Sequence, residues 1–139
     1  MGDRINYGLV SESGDVLFLY SHWGASSWIT DLQKALGYAS GRLDDTSYAT
    51  RIVMSQLVGE GWRGETGYGL SINKILDSDV DFVPVIDFKT KTVEIYKLDW
   101  VWGVIEETIV SFPIDFFIEQ EPRKLDELIA EIRNGEHNL

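Results

Sequence analysis

Cysteine is absent from this chain, and histidine nearly so, with His22 and His137 its 2 representatives. The first absence removes disulfides, thiolate nucleophiles and cysteine-bearing zinc sites together. The second leaves too few imidazoles for a histidine cage, so no metal site or other cofactor is expected. Basic residues are scarce as well, 12 against 23 acidic ones, for a formal net charge of -11. A field of that sign repels phosphate backbones and anionic headgroups at long range, which disfavours duplex nucleic acid and membrane surfaces as partners. No uninterrupted apolar run reaches the roughly 18 residues that a membrane span needs, and no basic stretch leads into an apolar one near Met1, so a cytoplasmic location is expected. The 3 prolines, Pro84, Pro113 and Pro122, are scattered, and no linker or repeat divides the 139 residues. The expectation is one domain, 1–139, burying about two thirds of the surface its unfolded form exposes.

What is present is a change of period along the chain. "RINYGLV" and "DVLFLYSHW" are rich in β-branched, aromatic and aliphatic residues and flank the turn-like "SESGD", a hairpin signal. From Trp28 the period becomes helical: Trp28, Ile29, Leu32, Ala35 and Leu36 share a face, Ser26 or Ser27 can cap the start, and Gly37 can stop it. "YASGRLDDTS" is a loop that supplies an N-cap from Asp45, Thr46 or Ser47 for a second helix. That helix carries Ala49, Ile52, Val53 and Leu57 on one face and ends at Gly59. Strand-like runs follow in "TGYGLSINKI", "DFVPVIDF", "KTVEIYKL" and "VIEETIVSF", with a second hairpin turn around Lys89 to Lys91. Pro122 opens a last helix with Leu125, Leu128, Ile129 and Ile132 at helical spacing and Asn134-Gly135 as its stop. The order ββααββββα predicts an α+β fold with a mainly antiparallel sheet of five to six strands. Residues 99–139 stand out as a candidate C-terminal extension.

The first hairpin can be registered by asking which loop length sorts apolar from polar residues. A three-residue loop, Glu12-Ser13-Gly14, puts Gly14 at the left-handed position of a turn with a bulge. It sets Leu9 opposite Leu17 and Tyr7 opposite Leu19 on one face, and Val10 opposite Val16, Gly8 opposite Phe18 and Asn6 opposite Tyr20 on the other. Arg4 and His22 then extend the second face, while Ser21 and Trp23 are expected to point away. Arg4, Asn6, Tyr20 and His22 thus form a donor-rich, partly aromatic patch suited to a small anionic, aromatic ligand of nucleotide type. Arg51 and Ser55, on the polar stripe of the second helix with Tyr48, are candidates to join it, as are Glu65 and Thr66 in the glycine-rich return. A plainer alternative pairs Arg4 with Asp3 or Glu65 and packs His22 into the core.

Other motifs carry less. "GEGWRG" matches a dinucleotide fingerprint in letters, but it follows a helix and precedes a strand, the reverse of what that motif needs. Ser21 beside His22 is no hydrolase signature, because neighbouring strand residues face opposite ways. "LDD" and "LDSDVD" lack the spacing of a calcium loop and read as caps and turns. Trp100 and Trp102 fall on one side of an extended stretch and suggest packing or an interface. No catalytic residue is assigned.

The ordered set "DRINYGLV", "VLFLYSHWG", "YATRIVMSQLVG" and "ETGYGLSIN", over roughly residues 3 to 73, resembles a family of small, functionally uncharacterised bacteriophage and actinobacterial proteins. The resemblance implies a phage-like setting, and with it a counter-defence role in the host cytoplasm. Two modes suit the residues. A pocket at Arg4, Asn6, Tyr20 and His22 would sequester a nucleotide-derived signal, as a small-molecule sponge. Alternatively, the acidic back half, net -8 over residues 71–139 from fifteen acids and seven bases and including Glu106, Glu107 and Asp115, would occupy the basic groove of a host nuclease or CRISPR effector. A nucleotide-processing enzyme comes third, for want of an acid-base pair. Exposed aromatics add the expectation of a homo-oligomer.

Overall fold

The computed structural model describes residues 2–99 and 104–137. A hairpin of β1 (Ile5–Val10) and β2 (Val16–Ser21) leads into α1 (Trp28–Ala39) and α2 (Thr46–Val58). Four strands follow: β3 (Tyr68–Ile72), β4 (Phe82–Asp87), β5 (Thr92–Asp99) and β6 (Val104–Pro113). The short α3 (Ile114–Glu119) and the longer α4 (Pro122–His137) complete the fold. The strands form one sheet in the order β3-β2-β1-β4-β5-β6, antiparallel at every contact but one, so the class is α+β with a mainly antiparallel sheet.

The first hairpin has the register that face-sorting predicts, from Ile5 opposite Ser21 to Val10 opposite Val16. Gly14 sits at φ 93, a conformation that costs glycine little and a side chain much, and Ser11 N–H donates to Asp15 O at 2.8 Å to close the turn. Ile5, Tyr7, Leu9 and Leu19 then line one face of the sheet. They pack with Leu32, Leu36, Ala49 and Val53 of the helices and with Ile86, Val93 and Ile95 of the later strands. Phe112, Ile114, Phe117, Leu125 and Ile129 enter the same core, so residues 112–129 are built into it. Trp28 links the halves, its ring centroid 5.4 Å from that of Phe82 and 6.1 Å from that of Phe117.

The exceptional contact is parallel: β1 pairs with β4 at Gly8–Val85 and Leu9–Ile86. Its cause is the placement of β3 on the outer side of β2, which leaves the free edge of β1 for β4. Residues 73–81 therefore cross the second face of the sheet. There Ile75 packs on Phe18, Val83 and Val85, and Leu76 reaches the bare backbone of Gly69. Every other pair in the sheet joins successive strands in antiparallel fashion.

Helix ends depart from expectation in two places. Gly37 lies inside α1, which runs on to Ala39 because that residue and Leu36 are buried in the core. The turn closes where the Ser40 hydroxyl donates to Gly37 O at 2.8 Å. Asn134 and Gly135 lie inside α4. The expected ends of α2 hold: the Asp45 carboxylate accepts from Tyr48 N–H at 3.3 Å, and Gly59 follows at φ 56. Its core face is Ala49, Val53, Met54 and Val58, with Ile52 and Leu57 half-buried. α3 was not legible as a helix; Ile114 and Phe117, three apart, fix it to the core. Trp100 and Trp102 lie outside the described residues, as do the side chains of Glu106 and Glu107. No described helix is long and apolar enough to cross a membrane.

Candidate binding surface beyond the first hairpin

Strand alternation stops with Ser21, and the bend that follows re-aims the next two side chains. His22 N–H donates to Gly67 O at 2.8 Å, tying the bend to the turn before β3. The Tyr20 hydroxyl and His22 Nδ1 share a hydrogen bond of 2.7 Å. The Trp23 ring stands edge-on to His22, centroids 5.2 Å apart at 84°. The expectation that Trp23 points away from His22 is thereby corrected, since the alternation behind it ends one residue earlier. Trp23 remains 60% exposed although its ring lies over Gly67. Gly67 has φ 102, and a Cβ there would run into the ring, so glycine is required on both counts.

Arg4 is committed elsewhere. Its backbone N–H and Nε donate to Asp79 Oδ2 at 2.8 and 3.0 Å, Nη2 donates to Oδ1 at 3.4 Å, and Nη1 stands 3.8 Å from Asp77. Asp79 N–H donates back to Arg4 O at 2.9 Å. The guanidinium's hydrogen bond, followed by the one from the Arg4 backbone, holds the Asp79 carboxyl below the usual carboxylate range, and the same contact raises Arg4. The plainer alternative thus has the right kind of partner for Arg4 but the wrong residues, and His22 is exposed rather than packed in the core.

Asn6 lies on the expected face but is 1% exposed. Its Nδ2 donates to Leu76 O at 2.9 Å and Asp77 O at 3.4 Å, and its Oδ1 accepts from Leu76 N–H at 3.2 Å. It clips the crossover to the sheet and so has no group to spare for a ligand. Arg51 and Ser55 are not brought to the patch: α2 packs on the other face, and the Ser55 hydroxyl donates to Arg51 O within the helix at 2.8 Å. Glu65 and Thr66 are exposed in the turn that reaches His22 through Gly67. What sequence reasoning missed is Trp23, Asp77 and Asp79. The only signal was the acid-rich "LDSDVD", which nothing in the sequence ties to Arg4.

The described residues therefore offer an aromatic cluster, half-buried Tyr20 with exposed His22 and Trp23, and a sheet end where Asp77 and Asp79 both face Arg4. Among the described residues no group of three or more histidine, aspartate or glutamate side chains is placed to hold a metal ion. No family model matches the chain, and no curated protein or solved structure matches it either.

Proposed function

We propose that this chain is a non-catalytic docking protein for a basic partner protein, with Trp23 and His22 as anchor and the exposed Asp77 as acidic rim. The observation that carries the reading is the neutralisation of Arg4. An anionic ligand would have to displace Asp79 from three contacts, whereas an arginine or lysine side chain has an exposed indole at Trp23 and an exposed carboxylate at Asp77 to meet. A cation over a tryptophan contributes about 0.5–2 kcal/mol, depending on desolvation. The net charge of -11 draws such a partner in and makes the encounter salt-dependent. Within the phage-like setting that the sequence resemblance implies, the partner class is a nucleic-acid-binding host protein, whose basic groove presents the required side chains.

The test is calorimetric titration with an arginine-rich peptide, beside a thermal-shift panel of cyclic nucleotides and ADP-ribose. The expected result is peptide binding that weakens as salt rises and falls at least tenfold in Trp23→Ala, with no shift from the nucleotides. Nucleotide stabilisation abolished by Arg4→Ala would overturn the docking reading and establish sequestration of a small anionic ligand in its place.

A further inference from the structure

The two edges of the sheet are unlike. β6 carries glutamates in its sequence, ends in Pro113 and meets β5 through register shifts at Ile95/Tyr96 and Tyr96/Leu98, all features that discourage pairing with a further strand. β3, "YGLSI", has no charge, no proline and an unbroken register with β2. Leu70 and Ile72 are 54% and 67% exposed, and Leu70 continues into a shallow apolar groove with Trp62, Val58 and Tyr68.

The direction of the free hydrogen-bonding groups is fixed by the bonds that flank the strand. Gly67 O accepts from His22 N–H and Asn73 N–H donates to Val16 O, each at 2.8 Å. By the alternation of an antiparallel ladder, Gly67, Gly69, Ser71 and Asn73 spend their backbone groups on β2. Tyr68, Leu70 and Ile72 therefore aim theirs outward, and the same three residues place their side chains on one face.

We infer that β3 pairs with β3 of a second copy of this chain, antiparallel about a two-fold axis at Leu70. Centred there, each outward residue meets an outward residue: Leu70 faces its own copy, and Tyr68 faces Ile72. Every free N–H and C=O along the three pairs finds a partner, and the side chains match apolar to apolar. The strand ends agree in charge as well. Antiparallel pairing brings the end that carries Lys74 beside the end that carries Glu65 of the other copy, both exposed. An uncharged seam also suits copies that each carry -11, whose mutual repulsion salt would screen.

Sedimentation velocity and cysteine cross-linking test this together. The wild type is expected at twice the chain mass of 15.8 kDa, with association tightening as salt rises. Leu70→Pro removes only an outward N–H, which an edge strand tolerates, and is expected to give a monomer with unchanged circular dichroism. Because the chain has no cysteine of its own, Leu70→Cys should oxidise to a disulfide dimer. The opposed Cα atoms would lie about 5.5 Å apart, within bonding range. Ile72→Cys should not cross-link, its copies being staggered by roughly 13 Å. A wild type that stays monomeric at all concentrations, a dimer that survives Leu70→Pro, or equal cross-linking from both positions would overturn the pairing.

Discussion

The side-chain amide of Asn6 fastens the β3–β4 crossover to the sheet, beside the Arg4–Asp79 contacts at the strand end. Removing it leaves the Leu76 amide and carbonyl facing buried surroundings without their partners, a loss of about 1–3 kcal/mol. Asn6→Ala is accordingly expected to lower the unfolding free energy by that amount, seen as a lower denaturant midpoint with little change in slope, and Asn6→Asp to cost more, because it discards both donors and adds a charge near the Asp77 backbone carbonyl. Urea titrations followed by tryptophan fluorescence check both. The face on which Asn6 lies was readable from hairpin sorting; its role was not, because the partners are 70 positions away. The same holds for Arg4, whose carboxylate lies 75 positions along the chain. Sequence set Asn6 opposite Tyr20, as the register has it, but the chemistry of Asn6 and Arg4 was decided by a segment that local pattern cannot position.

Elements repeat that division. Apolar stripes located α1, α2 and α4, and Gly14 with the sorted faces fixed the first hairpin, because each of these signals is complete within a dozen residues. Boundaries were less legible, since a glycine ends a helix only where the backbone must turn left-handed. Gly37 and Gly59 separate the two cases. Gly37 is exposed inside α1, and an added Cβ meets nothing within 4 Å. Gly59 has as much room but sits at φ 56. Gly37→Ala is expected to stabilise by about 0.5–1 kcal/mol and Gly59→Ala to destabilise by about 1 kcal/mol, a difference of sign measurable by thermal denaturation. α3 escaped notice because six residues are too few to show a period. The parallel β1–β4 contact escaped because a strand sequence does not state which edge it will join.

For the whole molecule, acid acts in two opposed ways. Protonating exposed carboxylates relieves the self-repulsion of a chain at -11. Asp79 and Asp44 have folded-state pKa values below their ordinary ones, Asp79 through Arg4 and Asp44 through Lys91. Such groups contribute stability that is present above the unfolded value and lost as pH falls through the folded one. The Asp44–Lys91 pair is largely exposed and contributes little, so Asp79 dominates this effect. Thermal melts are expected to hold or rise from pH 7 to about 5 and to fall below about 4. Asp79→Asn should start lower at pH 7 and show a shallower acid limb; a limb unchanged by that substitution would place the loss elsewhere.

The parallel contact also sets a timetable for synthesis. β1 finds β2 within a few residues, but its other edge waits for β4, which follows 77 positions later by the Gly8–Val85 pairing, 85 less 8. At ribosomal rates that interval lasts about 4–15 s. Throughout it the nascent chain offers an open, apolar strand edge at what will become the middle of the sheet, so the stretch of translation before β4 emerges is when shielding by a chaperone matters most.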